Sequence, residues 1–442
     1  MLIDKRKNAI LLAVLLTAVF ACSLAYAFGF HIQPMVDARW YDTIAWNLVN
    51  GKGFRLLDSG PLSGDPAIGT VGPGYEYLLA GVYGVFGRHL EPVWILQALL
   101  HTLNAFLVFL LTRRVIPAST RQFFFSMLAA AFYGLNPDLI LMAAMLFTET
   151  LYLTFLLVAA LGMVAFTVWP SARAALATAT VLACAILVRP IALLPLAVFL
   201  VLLVIKKKPL WVLGVLVIQL VFIGPWAWRN YSVYGRFVPL TAAGGYDLWV
   251  GNNPEANGEE IPAKVVSDYK DRYGFLQADH YGTEQYVKYM LGDPLGFLRL
   301  QAIKTVKFFS VIRTAAWWFH LSGISRAITF FLSAGFFFLL LLMGIPGIYS
   351  GLRTGPAPAR ILAVLSLTVP AAVIPIVVTS RLRYPMYPFL AVLGALAAFR
   401  YREGEISRRW ILLSGGLIVA FTLMDILISA PGIPDRILRL FS

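Results

Sequence analysis

Charged residues and cysteines are both scarce in this chain of 442 residues. Only 13% of the residues are Asp, Glu, Lys or Arg, whereas 60% are hydrophobic. A water-soluble domain of this composition could not cover its apolar surface with polar groups, which excludes that class. Cys22 and Cys184, the two cysteines, lie inside apolar runs, so neither a disulfide nor a thiolate metal site is predicted. The five histidines show none of the close spacings of zinc motifs.

Apolar runs near the length needed to cross a bilayer recur along the chain. They lie at about 9–29, 92–112, 122–137, 139–168, 174–188, 190–205, 209–228, 327–350, 359–379, 384–399 and 409–429. Two further segments, about 75–87 and 294–318, are short or charged for spans, so they are either additional spans or re-entrant or interfacial helices. The sequence therefore predicts an all-α polytopic membrane protein with about 11–13 transmembrane helices. Residues 1–442 are predicted to form a single membrane domain.

Lys and Arg cluster in alternate short loops, and such clusters mark the cytoplasmic side of a membrane. They are Lys5–Lys7, Arg113/Arg114/Arg121, Arg173, Lys206–Lys208, Arg353/Arg360 and Arg400/Arg402/Arg408/Arg409. This pattern predicts an inner-membrane protein with a cytoplasmic N terminus. Residues 30–90, the first outer loop, and 229–320, the large outer region, then face the periplasm or the cell exterior, as does the C terminus. Topology and anionic lipid headgroups account for the net charge of +14, so no nucleic-acid partner is predicted.

The N-terminal segment has a second interpretation. Lys5-Arg6-Lys7, an apolar stretch and Ala25-Tyr26-Ala27 together follow the pattern of a cleaved secretory signal. The apolar core is longer than such signals usually have, so an uncleaved first span is the prediction.

Asp37 follows the first apolar run directly. Residues 37–50 repeat apolar side chains at helical spacing, which predicts a helix lying flat at the membrane surface and ending at Gly51. A carboxylate just outside a membrane is a candidate general base for chemistry on a lipid-borne substrate. Asp37 could instead only cap its helix, although the two roles are compatible. Asp42, farther along the same helix, is predicted to be solvated.

Three arginines stand where the membrane disfavours positive charge. Arg381 and Arg383 share a short outer loop, against the positive-inside tendency, which favours phosphate binding over headgroup anchoring. Arg189 follows the apolar run 181–188, where an unpaired charge is costly. It is predicted to contact a phosphate, to pair with Glu149 or to snorkel to the membrane surface. Glu149 in turn either caps its helix or lines the site.

The large outer region contains a stretch rich in glycine, asparagine and aromatic residues. Residues 244–254 read Gly-Gly-Tyr-Asp-Leu-Trp-Val-Gly-Asn-Asn-Pro, which suits a loop that presents backbone amides and flat rings to a sugar. The alternative is an interfacial aromatic belt with turn residues. Asn252 and Asn253 are therefore candidate site-lining residues. Residues 261–293 are the most polar stretch and are predicted to form short helices on the outer surface.

Several separated motifs resemble those of one known family. They are Asp37-Ala38-Arg39-Trp40-Tyr41, Gly72-Pro73-Gly74-Tyr75, Thr148-Glu149-Thr150-Leu151, Arg189-Pro190, Pro225-Trp226 through Arg229-Asn230, Gly251-Asn252-Asn253-Pro254 and Arg381-Leu382-Arg383-Tyr384-Pro385. Together they resemble landmarks of the C-type (GT-C) membrane glycosyltransferases, especially the family 39 group of protein O-mannosyltransferases and aminoarabinose transferases of lipid A. The chain departs from that pattern at Ala38, where some relatives have an acidic residue, and near Val71, where aminoarabinose transferases have a lysine.

The resemblance implies a GT-C-like bundle and an envelope glycosyltransferase that moves a sugar from a polyprenyl-phosphate donor to an acceptor hydroxyl at the outer membrane face. Asp37 occupies the position of the family's first-loop aspartate, which acts on the acceptor. A single displacement would invert the anomeric configuration. The acceptor, whether protein, lipid or glycan, stays open. No cofactor is firmly predicted, and a divalent metal is left open.

The chemistry of such a transfer agrees with the residues present. Phosphate leaves as a stable anion, so the reaction needs a base for the incoming hydroxyl and cations for the departing charge. Guanidinium groups bind phosphate oxygens in a bidentate fork, which suits Arg381, Arg383, Arg229 and Arg189. The predicted site-lining residues are Tyr41, Tyr75, Glu149, Asn252 and Asn253.

Two other classes of protein stay open. A transporter or flippase of a lipid-linked sugar would share the outer aromatic loops and the intramembrane Arg189. Transporters usually show internal repeats and broken helices, and neither is evident in the sequence. A binding or scaffold subunit would keep the fold without the chemistry.

Overall fold

The computed structural model describes residues 2–70, 72–258, 264–312 and 318–429. Its helices are α1 (Leu2–Phe30), α2 (Asp37–Val49), α3 (Gly74–Phe86), α4 (Leu90–Val115), α5 (Gln122–Gly134), α6 (Pro137–Ala144), α7 (Glu149–Val168), α8 (Ala172–Val188), α9 (Leu193–Ile205), α10 (Pro209–Tyr234), α11 (Gly244–Gly251), α12 (Lys264–Tyr273), α13 (Phe275–Gly292), α14 (Pro294–Phe309), α15 (Gly323–Arg353), α16 (Ala357–Val373), α17 (Tyr387–Arg402) and α18 (Arg408–Ser429). Short 3₁₀ turns cover Leu62–Gly64, Pro66–Gly69, Pro190–Ala192 and Arg381–Met386. The described part of the chain contains no strand. Val71, parts of the large outer region and the predicted outer C terminus lie outside the described residues.

The apolar runs of the sequence are helices. Seven described helices are long and apolar enough to cross a membrane, namely α1, α4, α7, α10, α15, α17 with the turn before it, and α18. The α5–α6 pair also qualifies if it counts as one span bent by 53°. Shorter apolar helices are α8, α9 with its preceding turn, and α16. The all-α polytopic class is confirmed, although the length criterion alone supports 7 or up to 8 of the predicted spans.

The predicted span 139–168 is not one helix. Helix α6 ends at Ala144 and α7 begins at Glu149, so the chain breaks between them. Carbonyls freed by a break in an apolar environment need another donor. Gln97 of α4 supplies it, because its amide nitrogen donates to the carbonyl oxygens of Ala143 at 3.1 Å and Met145 at 2.7 Å. The predicted single span was wrong because the hydropathy of the long run outweighs Thr148, Glu149 and Thr150, the polar residues at which α7 begins.

The first outer loop contains the predicted surface helix as α2 and a second helix as α3. Helix α2 ends where expected, since Gly51 and Gly53 adopt the positive φ angles of 71° and 84° that favour glycine. Ala38, Tyr41 and Ala45 of α2 are buried. The loop is therefore packed onto the helical bundle and holds Asp37 in a defined place.

Asp42 is buried, not solvated as predicted. The hydroxyl of Tyr83 donates to its Oδ1 at 2.7 Å, and an Arg88 guanidinium nitrogen donates to its Oδ2 at 2.6 Å. Asp42 lies four residues after Ala38 and three before Ala45, on the buried face of α2. The sequence pattern shows a polar residue at this position but not its distant partners.

Asp42→Asn is expected to destabilise the first outer loop by about 1–3 kcal/mol, because it replaces hydrogen bonds to a charged group. Thermal unfolding of the purified chain in detergent measures the effect. Asp58→Asn is the matched control, since Asp58 is 85% exposed and its ion pair is with the exposed Lys52. Equal melting temperatures for the two variants would contradict the assigned role of Asp42.

Glycines bring α15 and α17 into close contact. A Cβ added at Gly347 would lie 2.1 Å from the carbonyl oxygen of Leu393, and one at Gly344 would lie 2.5 Å from the Leu390 side chain. Small residues allow membrane helices to approach at such crossings. This crossing fixes α17 and thereby the end of the 3₁₀ turn Arg381–Met386 that precedes it.

Candidate active site

Four charged side chains form a chain of alternating sign between distant parts of the sequence. Asp37 Oδ2 lies 2.8 Å from a terminal guanidinium nitrogen of Arg381. Arg381 Nε lies 3.1 Å from Glu149 Oε1, and the same oxygen lies 2.5 Å from Arg189. The structure thus brings together four predicted site residues, Asp37, Arg381, Glu149 and Arg189, of which only Glu149 and Arg189 were expected to pair.

Each member of this charged chain lies at or beside the end of a helix or turn. Asp37 begins α2, Glu149 begins α7, and Arg381 begins its 3₁₀ turn. Arg189 follows the last residue of α8, where Pro190 cannot continue the helix. A carboxylate at a helix N terminus and a cation at a helix C terminus both complement the helix dipole, so Glu149 and Arg189 are each favourably placed.

Asp37 is the accessible end of the charged chain. Its side chain is 39% exposed, compared with 10% for Arg381 and 1% for Glu149. Within the described residues, Oδ2 of Asp37 is held by Arg381, whereas Oδ1 makes no hydrogen bond or ion pair. Charges interact more strongly in such a poorly solvated place than in water. The arrangement therefore presents one carboxylate oxygen of Asp37 in a fixed orientation.

Tyr41 and Tyr75 line the buried side of the site. Their rings meet edge to face with centroids 5.6 Å apart. Burial and the nearby Asp37 carboxylate raise the pKa of Tyr41 well above its usual value, so the phenol stays protonated. The Tyr75 hydroxyl donates to Gln97 at 2.9 Å, the residue that holds the break before Glu149. Tyr75 thus supports the backbone that carries Glu149.

The structure does not place Arg383 in the charged chain. Its guanidinium donates to the carbonyl oxygens of Phe308 at 3.1 Å and Ser310 at 2.8 Å, and stands 4.3 Å from the centroid of the Phe337 ring. These contacts fix α14 and α15 around the 3₁₀ turn. The phosphate-binding role of Arg383 stays a prediction that this geometry does not support.

Arg229 also lies apart from the charged chain. It donates to the carbonyl oxygen of Phe54 at 2.9 Å, and its guanidinium carbon lies 5.1 Å from the centroid of the Trp226 ring. Arg229 therefore ties α10 to the first outer loop. Its predicted contact with phosphate has no support in these contacts.

Asn252 and Asn253 hold backbone groups. The Asn252 amide nitrogen donates to the carbonyl oxygens of Pro375 at 2.9 Å and Ile376 at 3.1 Å. Asn253 donates to the carbonyl oxygen of Trp249 at 2.9 Å. Both side chains are buried, so the predicted contact of these asparagines with a sugar stays a prediction.

Sequence reasoning gave no role to Gln97 or Thr148. Thr148 accepts a hydrogen bond of 3.1 Å from Arg189 and so helps to fix that guanidinium. The available signal for Gln97 was its polar side chain within a predicted span, although His101 and Asn104 share that feature. Among the described residues, no group of three or more His, Cys, Asp or Glu side chains is arranged to hold a metal ion.

Glu76, in the first turn of α3, is completely buried beside Tyr75. Helix α3 is not among the candidate spans. Burial raises the pKa of Glu76 from 4.5 to about 8, so the folded state holds a proton that the unfolded state has released. The stability that this proton supports is present below pH 4.5 and is lost as the pH rises through about 8.

Glu76→Gln is therefore expected to remove this dependence of stability on pH, because a buried glutamine side chain does not have to take up a proton. The variant should be more stable than the wild type at pH 8, and the difference should shrink toward pH 4.5. Thermal unfolding over a pH series measures it, with the exposed Glu284→Gln as control. A Glu76→Gln variant that is no more stable than the wild type at pH 8 would refute the assignment.

No protein-family model matches the chain, and no curated protein matches it. Among solved structures it is similar to the crystal structure of ArnT from Cupriavidus metallidurans bound to undecaprenyl phosphate. The match has 16% sequence identity and a TM-score of 0.38, and it covers 90% of this chain and 78% of that chain. At this level of similarity the match does not identify the function of the chain.

Proposed function

We propose that the chain is an integral membrane glycosyltransferase that moves a sugar from a polyprenyl-phosphate donor to an acceptor hydroxyl, with Asp37 as general base. The observation that carries this proposal is the half-exposed carboxylate of Asp37. One of its oxygens is fixed by a buried arginine, and the other has no partner among the described residues. A base needs such a fixed and accessible oxygen.

In the proposed step, the acceptor O–H gives its proton to Oδ1 of Asp37 while the acceptor oxygen attacks the anomeric carbon of the sugar. The bond between that carbon and the phosphate oxygen breaks, and its electron pair leaves with the polyprenyl phosphate. One displacement on the opposite face inverts the anomeric centre. No further reactant is required.

Arg381 takes part in both events of this step, the proton transfer to Asp37 and the departure of the phosphate. Before transfer, the Arg381 guanidinium forms ion pairs with both the Asp37 and the Glu149 carboxylates. Proton transfer neutralises Asp37 at the moment when the leaving phosphate gains charge, so Arg381 can exchange its carboxylate partner for the phosphate. A guanidinium has five N–H donors, which allows it to keep Glu149 while it binds phosphate.

Glu149 and Arg189 hold Arg381 in place during this exchange. Glu149 is 1% exposed and contacts both arginines, so it fixes Arg381 from the side opposite to Asp37. The positive charge of Arg189 balances the negative charge of the Glu149 carboxylate. The buried pair therefore keeps the charge of the site near zero before the donor binds.

Proteoliposomes that contain undecaprenyl phosphate carrying a radiolabelled hexose, supplied with a membrane extract as acceptor source, test the proposal. A transferase releases one undecaprenyl phosphate for each label that reaches the acceptor. Several donor sugars are compared in parallel. Label that stays on the lipid for every sugar, in preparations with the chain correctly folded, would contradict the proposal.

The bent α5–α6 pair favours a second candidate, a transporter of a lipid-linked sugar. Broken helices are common in transporters. The sequence predicted a turn between two separate spans, 122–137 and 139–168, at the position of this bend. The same liposomes distinguish the two functions. A transporter moves the intact labelled lipid between leaflets and releases no undecaprenyl phosphate.

A further inference from the structure

Lys304 of α14 is completely buried and has no carboxylate partner among the described residues. Its ammonium donates to Oδ1 of Asn252 at 2.7 Å and to the carbonyl oxygen of Ile376 at 2.9 Å. Burial lowers the pKa of Lys304 to about 7. A buried amine without a counter-ion is costly to the fold, so its hydrogen bonds need a structural or functional reason.

Asn252 connects Lys304 to two further parts of the chain. Its amide nitrogen donates to Pro375 and Ile376, and its Oδ1 also accepts a hydrogen bond of 2.8 Å from Gln301 of α14. Lys304, Gln301, Asn252 and the carbonyl groups of Pro375 and Ile376 together form what we call the Lys304–Asn252 junction. The junction joins α14 and the end of α11 to the segment that follows α16.

Close backbone approach shows how tightly this junction is packed. A Cβ added at Gly251 would lie 1.9 Å from the carbonyl oxygen of Ile376, so only glycine allows this approach. The segment therefore has little room to move against α11.

The segment held by the junction leads directly to the proposed active site. Residues 377–379 have no regular secondary structure, and Arg381 begins the next turn. At one end this segment is fixed by the junction at Ile376. At the other end lies the turn whose first residue, Arg381, pairs with Asp37. A shift at Ile376 would therefore pass along a short irregular segment to the guanidinium of Arg381.

We infer that Lys304 is a positioning residue for Arg381: by holding Asn252 and the Ile376 carbonyl together, it sets where the Arg381 guanidinium stands relative to Asp37. Lys304 itself touches none of the groups proposed to react. The inference deepens the proposed function and rests on it for the role of Arg381 in transfer. It also explains why an asparagine of the large outer region is buried instead of facing a ligand.

Lys304→Met tests this inference, because methionine fills similar space without donating hydrogen bonds. Hydrogen exchange of backbone amides in the full chain, in lipid nanodiscs, is expected to rise across residues 375–384. The kcat for transfer from labelled undecaprenyl-phosphate hexose should fall about 10- to 100-fold, as for a misplaced catalytic group. The KM for the donor should change by less than about threefold, because Arg381 acts on charge that develops in the transition state.

A double-mutant cycle with Arg381→Gln separates positioning from general damage. If Lys304 acts through Arg381, Lys304→Met should have almost no further effect on kcat in the Arg381→Gln background. Effects that multiply would overturn the inference, and so would unchanged exchange at 375–384 in Lys304→Met. Arg299→Met, which removes an exposed positive charge from the same helix, should leave both measurements unchanged.

If Lys304→Met does not fold, Gln301→Leu removes a single donor to Asn252 and should raise exchange at 375–384 to a smaller extent; no rise would overturn the inference. Should Asp37→Asn leave transfer intact, the proposed function fails. In that case the hydrogen exchange at 375–384 in Lys304→Met would still show whether Lys304 holds the segment that leads to Arg381.

Discussion

Asp37→Asn is expected to lower the rate of sugar transfer by about 10²- to 10⁴-fold, the range that a general base contributes. The amide keeps the shape of the carboxylate and can still accept a hydrogen bond from Arg381, but it does not take the acceptor proton. Release of undecaprenyl phosphate from labelled donor in proteoliposomes measures the rate. Melting temperature should change little, because Asp37 is 39% exposed and lies at the edge of the charged chain.

Asp58→Asn provides the control within the same outer loop. Asp58 is 85% exposed and pairs with Lys52 at 2.7 Å, and it has no part in the proposed chemistry. Its substitution should leave transfer within about twofold of the wild type, as expected for a surface change. Transfer by Asp37→Asn at a rate similar to that of Asp58→Asn would show that Asp37 is not the base.

Glu149→Gln is expected to destabilise the protein by about 3–5 kcal/mol, the cost of breaking a buried ion pair. Glu149 is 1% exposed and contacts two arginines, so its neutralisation leaves the buried Arg381 and Arg189 with Asp37 alone to balance them. Denaturant unfolding of the purified chain in detergent measures the loss. Transfer should also fall, because Arg381 loses its second anchor.

Glu403→Gln is a close comparison for the same substitution. Glu403 pairs with Arg121 at 2.6 Å, nearly the distance between Glu149 and Arg189, but its side chain is 38% exposed. Exposed pairs contribute about 0–1 kcal/mol, so this variant should unfold almost as the wild type does. If both substitutions cost the same, burial does not determine the strength of the Glu149 contacts.

Much of the fold could be predicted from local sequence. The helix predicted over 37–50 is present as α2, because its apolar spacing and the glycine that ends it are both short-range signals. Hydropathy located the apolar helices because it too is a property of neighbouring residues in the sequence. Averaged over the run 139–168, it did not separate α6 from α7, although Glu149 marks the start of α7. The residue that satisfies the freed carbonyls, Gln97, lies on another helix and gives no local signal.

The site was predicted in part. An ion pair between Arg189 and Glu149 was one of the stated alternatives and is present. The pairing of Asp37 with Arg381 joins residues 344 positions apart, which no spacing rule reports. Arg383, Arg229 and Asn252 have the chemistry for ligand binding but use it on backbone carbonyls, and only tertiary packing decides between those two uses.

An experimental structure of the wild-type chain bound to undecaprenyl phosphate would show whether Arg381 receives the phosphate beside Asp37. We expect the phosphate to lie within hydrogen-bonding distance of the Arg381 guanidinium, about 2.7–3.2 Å, on the side where Asp37 is exposed. A phosphate bound at Arg229 or Arg383 instead, with the Asp37–Arg381 pair intact and remote from it, would show that Arg381 does not receive the leaving group.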